Sequence, residues 1–364
     1  MERWQSTWEN TVEYNLSESG VHPLTIREVT GGDASKVLDK NLGYGQTNGT
    51  IELRKRIAAI YEDADENNVI VTNGSSEANF VALWRLLQDK GEVVFMVPNY
   101  MQICGLAKNL GGKVKTFRLL ESRNEWVPDF STLNRIVNKK TKVIAICNPN
   151  NPTGATMNEK HLDEICRIAR KANAWILSDE VYQGSEINGK ATPSIWNYYD
   201  KALTISGLSK AYGLPGLRIG WITTKKQMAA KLWAYHDYTS IAPNVVSDYV
   251  ATKAMEPDTR IRILTRTRSI LKQNLPIVTE WINRNHEHFR FIPPKAGAIT
   301  YLKYDLKINS KQFANRLLQE KKTLVVPGAH FGMDRYLRVG YGSPTNYLSA
   351  GLKRIDELVN EITQ

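Results

Sequence analysis

Cysteine is scarce in this chain. Cys104, Cys147 and Cys166 are its only three, and their wide spacing suits neither a disulfide framework nor a metal site. Long apolar runs are missing too: nothing approaches the ~20 consecutive apolar residues needed to cross a bilayer. The opening Met1-Glu2-Arg3-Trp4-Gln5 lacks the basic-then-apolar pattern of an export signal. We therefore expect a reduced, cytoplasmic setting with no metal and no membrane partner. Internal repeats and low-complexity linkers are absent as well.

Concentrated charge of one sign is also lacking. The net charge of +11 and a pI near 9.4 would suit a nucleic-acid binder. The bases, however, are scattered through presumed helices among acids, as in Asn158-Glu159-Lys160 and Arg167-Ile168-Ala169-Arg170-Lys171. No basic stripe alternates with aromatics, and no zinc-finger or helix-turn-helix pattern appears, so no nucleic-acid partner is expected. A generally basic surface would instead steer small anions. With 42% hydrophobic and 23% charged residues over 364 positions, the chain has core-forming material for about two domains.

Residues 1–40 read as polar and irregular, with Ser19-Gly20-Val21-His22-Pro23 marking a turn. From about residue 50, helical and strand patterns alternate. Helices are expected at 51–61, 80–87 and 159–172; strands at 69–72, 93–97, 142–146 and 174–178, with another over Ala202-Leu203-Thr204-Ile205. Near-continuous apolar strands between helices indicate a mainly parallel sheet covered on both faces. After about 250 the pattern changes to a long charged helix (258–284), strands near 289–292, 299–302, 323–326 and 336–341, and helices at 310–320 and 346–362. The expected organisation is a large α/β/α domain over 41–250 and a smaller α+β domain over 251–364, the latter joined by segment 1–40.

Polar punctuation falls repeatedly just past the strands. After 202–205 comes Ser206-Gly207-Leu208-Ser209-Lys210, with Arg218 eight residues beyond Lys210 among glycines. Strand ends are where open α/β sheets bind ligands, and small residues let a ligand approach the backbone. A lysine there can form a Schiff base with an aldehyde, while an arginine fork suits phosphate. An aldehyde and a phosphate on one small molecule describe pyridoxal phosphate (PLP). Gly74-Ser75-Ser76 opens a helix, and free N–H groups at such a start bind phosphate, although either serine can serve merely as a cap. Asp179 follows another strand and can pair with a protonated pyridine nitrogen; Tyr182 can donate to the phenolic oxygen of the same ring. Asn148-Pro149-Asn150-Asn151-Pro152-Thr153-Gly154 forms a rigid turn able to aim an asparagine at a ligand.

Taken in order, these segments resemble the class I/II aminotransferases of PLP fold type I, the aspartate-aminotransferase superfamily, from Tyr44 to Arg338. That resemblance implies a seven-stranded, mainly parallel sheet in the large domain. It implies Lys210 as the Schiff-base lysine, Asp179 as partner of the pyridinium, and Tyr182 and Asn151 on the ring oxygen. Tyr100, in Pro98-Asn99-Tyr100, would stack on the ring, while Ser75, Ser76 and Arg218 would bind phosphate. Tyr44 would reach the phosphate of a neighbouring subunit, hence a homodimer. Arg338, after Pro327-Gly328-Ala329-His330-Phe331-Gly332, would hold the substrate α-carboxylate, with Gly20 close to it. The pattern departs at Gly207, where many relatives carry a phosphate-binding serine; Ser206 or Ser209 would substitute.

The expected reaction is transamination between an α-amino acid and a 2-oxo acid, with the freed Lys210 as base and its pKa lowered by burial and nearby cations. The strip Leu16-Ser17-Glu18-Ser19-Gly20-Val21-His22-Pro23 also resembles the start of capreomycidine-synthase-like enzymes, which cyclise a hydroxylated arginine. In that reading Glu18 would face a cationic substrate end and His22 would be a nearby acid or base; a solvated glutamate and a turn histidine remain the plain alternatives. His236 and Asp237 fall in a region that approaches the substrate in such folds. A non-catalytic PLP-binding sensor is disfavoured, since no winged-helix segment precedes residue 40.

Overall fold

The computed structural model describes residues 1–32 and 34–364. The short apolar runs Val69–Thr72, Thr141–Cys147, Trp175–Asp179 and Ala202–Gly207 become strands that are buried almost throughout. β-branched residues suit a pleated surface, and helices on both sides remove the need for a polar face. One sheet contains eight strands in the order 69–72, 220–223, 202–207, 175–179, 141–147, 91–97, 112–122 and 125–128.

Its middle is parallel, and the sequence-based architecture holds. To the seven expected strands the structure adds Glu125–Pro128, which folds back antiparallel on Gly112–Ser122. Gly220–Thr223 runs antiparallel to both of its neighbours. A compact loop joins it to Ala202–Gly207; parallel pairing would have required a crossover. This reversal brings the start of 220–223 to the same sheet edge as the ends of the parallel strands. Pairing of Gly207 with Gly220, Thr72 with Gly220, and Cys147 with Asp179 fixes that edge.

Amphipathic helices cover the sheet. In Glu159–Ala172, Leu162, Ile165, Cys166, Ile168 and Ala169 turn inward at helical spacing. The Asn158 side chain caps the start through the His161 N–H, and Asn173 ends the helix in the left-handed region. The helix expected from Phe80 begins earlier, at Ser75, because its polar first turn does not look apolar-periodic. A second, antiparallel sheet (289–291, 299–304, 336–340, 326–327) packs beneath the long helix Pro257–Arg284.

The described residues of segment 1–40 are more ordered than their composition suggests. They contain a helix, Glu2–Trp8, and the strand Tyr14–Asn15 pairs in parallel with Thr323–Leu324. Trp4 holds the helix down by donating from Nε1 to the Val325 carbonyl at 2.9 Å, with its ring edge-on to His330. Tertiary anchoring has here overridden weak local propensity.

Beside Asp179, the Glu180 side chain is fully buried: Oε1 accepts the Ile195 N–H at 3.0 Å and Oε2 has no partner. Burial pushes its carboxyl up to about 7. Because the folded value is raised, this group's contribution to stability is complete below the unfolded value and is lost as pH rises through the folded one. Between pH 4 and 8 the native protein should lose roughly 3 kcal/mol of unfolding free energy that a Glu180→Gln variant keeps. Urea titrations of both proteins across that range test this; parallel pH profiles would contradict it.

Candidate active site

The strand ends converge on a cavity of about 220 Å³ whose walls include Ser75, Ser76, Tyr100, Asn151, Asp179, Tyr182, Ser209, Lys210, Arg218 and Arg338. Nearly every residue expected to touch the cofactor or the substrate carboxylate is therefore in one place. Two wider grooves, of about 550 and 610 Å³, lie elsewhere on the surface and collect no comparable set.

At one end lies an anion cradle. Gly74 has φ +88°, and a Cβ there would sit 2.4 Å from Arg218 Nη2. A Cβ on Gly220 would lie 2.3 Å from the Ser75 nitrogen. These glycines let backbone, helix N-terminus and guanidinium meet closely. Arg218 itself adopts φ +52°, anchored by donation from Nη1 to the Pro215 carbonyl at 3.1 Å. The Ser75–Leu86 helix is braced by Glu77, which accepts from the Asn73 N–H at 2.6 Å and faces His236 at 3.3 Å. Burial opposes ionisation of Glu77, but His236, Ser240 and Thr239 bring it down to about 2.

At the other end Asp179 is buried, accepts from the Val181 N–H, and is pushed up to about 6 by burial. A carboxylate so placed gains from a cationic partner. In the Asn-Pro turn, Asn148 accepts from the Met157 N–H and Asn150 from Thr153, so both are committed to the turn. Asn151 is left to face the cavity, where its Oδ1 accepts from Arg338 Nη1 at 2.9 Å. Arg338 Nη2 donates to the Ser17 carbonyl at 2.6 Å, and the guanidinium lies over the Phe331 ring.

Between these ends, Lys210 Nζ donates to Glu18 Oε1 at 3.1 Å. The same oxygen accepts the N–H groups of Ser19 and Gly20 at 2.8 Å each. Lys210 and these two N–H groups hold the Glu18 carboxyl down at about 2. This corrects one expectation. Burial does pull the Lys210 ammonium down, but Glu18 and Tyr182 outweigh it and its pKa is raised.

Other sequence-based assignments also change. Of the two candidate serines, Ser209 lines the cavity, while Ser206 turns its hydroxyl to the Glu180 carbonyl at 3.3 Å. Gly207 is glycine because a Cβ would sit 3.0 Å from the Ile219 oxygen and 3.1 Å from Gly220 Cα. Gly20 packs against the lysine turn, but its N–H is taken by Glu18. His22 faces the Gly342 carbonyl at 3.1 Å, and His236 is buried behind the cradle; neither lines the cavity, and Asp237 only terminates a helix. Tyr44 is 87% exposed and does not line this cavity. Sequence reasoning missed Ser19, Cys147 and the helix residues Glu2, Gln5, Ser6 and Glu9, all on the cavity wall. The last four follow an i, i+3, i+4, i+7 spacing that was visible but short.

These residues fit pyridoxal phosphate. The glycine-lined helix start and Arg218 match a phosphate, the raised Asp179 matches a pyridinium, and Lys210 lines the same cavity as Asp179 and Arg338.

Comparison with known proteins agrees. Residues 33–355 match the family model "Aminotransferase class I and II". The chain is 30% identical to an aspartate aminotransferase of Thermotoga maritima, over 90% of this chain and 86% of that one. It is 27% identical to a capreomycidine synthase of Streptomyces vinaceus, over 94% and 89%. A PLP-dependent aminotransferase from Streptococcus suis 89-1591 superposes with TM-score 0.93 at 32% identity, covering 100% of this chain and 97% of that one.

Two outcomes follow from the geometry. Gly220→Ala should weaken PLP binding by at least about tenfold in a fluorescence titration, since the Ser75 backbone must move away from the cradle; unchanged affinity would contradict the close-approach account. Glu18→Gln removes the carboxylate that raises Lys210, so attachment of PLP to the lysine should persist to lower pH than in the native protein. A pH titration of the attached-cofactor absorbance reads this, and an unmoved or upward-shifted midpoint would contradict it.

Proposed function

The chain belongs to the aminotransferase class I and II family, and on that premise we propose how its residues divide the work of a PLP-dependent transamination between an α-amino acid and a 2-oxo acid. The observation that carries the proposal is the meeting of Lys210, Asp179, Asn151, Arg218 and Arg338 in one cavity. Bound PLP supplies an electron sink for the bonding pair released at the substrate Cα.

Arg218 and the N–H groups at Ser75 and Ser76 would hold the phosphate, Asp179 would keep the ring nitrogen protonated, Tyr182 and Asn151 would bond the ring oxygen, and Tyr100 would pack on the ring. Arg338, buried and already gripped by Asn151 and Ser17, presents its fork to the α-carboxylate and so sets Cα near Lys210. Lys210 would hold the cofactor and, as a free amine, would carry the proton at the substrate Cα. Glu18 raises the proton affinity of that amine, which favours the abstraction step.

A homodimer is part of the proposal. Exposed Leu38, Leu42, Tyr44 and Tyr238 offer the apolar surface for a second copy, with Tyr44 reaching the neighbour's phosphate site. Among the described residues no helix is long and apolar enough to cross a membrane.

A second reading has one observation in its favour. Glu18 stands beside the reactive lysine, on a strip resembling capreomycidine-synthase-like enzymes, and a relative of that name matches the chain. Elimination, replacement or cyclisation on a basic amino acid would use the same early steps.

Lys210→Ala should lose the absorbance of lysine-attached cofactor and lower turnover by at least about a thousandfold. Retained turnover would sink the assignment. In the native protein, amino transfer to a 2-oxo acid supports transamination; release of ammonia or a cyclic product supports the second reading.

A further inference from the structure

Part of the anion cradle is held by residues that do not reach the cavity. Glu77 stands in the first turn of the Ser75–Leu86 helix and is not on the cavity wall. A carboxylate there works against an incoming phosphate, since both draw on the positive end of one helix and repel each other. Burial opposes its ionisation, yet His236, Ser240, Thr239 and the Asn73 N–H hold it at about 2. None of these partners lies on the cavity wall either. The charge is therefore kept for something other than attracting the ligand.

The partners close a ring of hydrogen bonds. Glu77 Oε2 accepts the Asn73 N–H at 2.6 Å, and Oε1 accepts the Thr239 and Ser240 hydroxyls at 2.5 Å each. The Ser240 oxygen in turn accepts from Asn73 Nδ2 at 2.5 Å, and the same amide donates to the Ala242 carbonyl at 3.3 Å. Asn73 is thus fastened to the turn 239–242, which joins the helices Lys226–His236 and Val245–Ala254. It immediately precedes Gly74, whose φ of +88° and contact with Arg218 shape the cradle.

The turn does not take its shape for its own sake. The Ala242 N–H donates to the Ser240 carbonyl at 2.8 Å around Ile241, whose φ is +65°. That is the strained form of a three-residue turn, and a β-branched residue is a poor occupant of it. Ile241 is 45% exposed, so burial of its side chain offsets little of the strain. The residues on either side of it, Ser240 and Ala242, are the two that Asn73 holds.

We propose that Glu77 is a positioning residue for the cofactor phosphate: it locks the 239–242 turn onto Asn73 and so holds the helix start 74–76 in the shape that receives an anion. The proposal rests on the PLP reading of the cavity. Glu77 touches neither phosphate nor substrate; it acts through the backbone of Asn73 and Gly74. Its charge and its geometry have opposite effects on a phosphate. Were the carboxylate only a nearby charge, removing it would tighten phosphate binding. As a positioning group, its removal loosens the cradle and weakens that binding.

Absorbance titrations of the cofactor-free chain with PLP and with pyridoxal, which lacks the phosphate, read the cradle separately from the ring and the lysine. Glu77→Met keeps the side-chain volume and removes both acceptors. Its PLP affinity should fall by at least about tenfold, while pyridoxal affinity stays within about twofold. Ser240→Ala breaks the ring at an exposed hydroxyl and leaves the buried contact of Glu77 with His236 in place. It should weaken PLP several-fold and pyridoxal not at all, and it carries the test if Glu77→Met does not fold. PLP affinity unchanged or raised in Ser240→Ala would overturn the proposal. So would equal losses for PLP and pyridoxal, since the damage would then not be confined to the phosphate end. Failure of the PLP reading looks different: the native chain would attach neither aldehyde at Lys210.

Discussion

The site depends on the close approach of three backbone segments at Gly220. This residue pairs with Gly207 on one side and Thr72 on the other, and its Cα faces the Ser75 nitrogen with no room for a Cβ. The reversal of strand 220–223 makes the contact possible. In one step it places the lysine turn, Arg218 and the N-terminus of the Ser75–Leu86 helix at the same edge as the ends of the parallel strands. A glycine at 207, odd as a missing phosphate ligand, is intelligible as part of this contact. The hydroxyl that lines the cavity comes instead from Ser209.

Electrostatics then organises the cavity from two directions. Arg218 and the helix start make one end attractive to phosphate, and a buried Asp179 at the other end gains from a positive ring nitrogen. Between them Glu18, held by two backbone N–H groups, sets the protonation of Lys210. A buried lysine usually titrates low, because desolvation disfavours its charge. Here a carboxylate at 3.1 Å reverses the sign. The proton affinity of the amine is therefore controlled by the N-terminal strip, not by the lysine turn itself.

Much of this was legible in the sequence. Lys210, Arg218, Asp179 and Asn151 follow strand-like runs, and strand ends in a parallel sheet share one edge, so local pattern plus topology was enough to bring them together. The helix 159–172 was equally clear from its apolar spacing. Less visible were features that depend on distant contacts. Residues 2–8 read as irregular because their helix is fastened by Trp4 to Val325, more than 300 positions away. Strand 220–223 is only four residues long, and Gly112–Ser122 is half exposed, so neither carries a strong period. The choice between Ser206 and Ser209 turned on which way each side chain points, which no spacing rule gives. His22, weighed as an acid or base against a plain turn histidine, and His236 both lie off the cavity wall, each facing a neighbour outside it.

The central claim is that Lys210, and no other lysine, holds the cofactor in this cavity. Borohydride reduction of the PLP-loaded protein, followed by peptide mass mapping, tests it directly. The account expects a single pyridoxyl-lysine, in the peptide containing Lys210, at close to one per chain. A label on any other lysine, or spread among several, would contradict it.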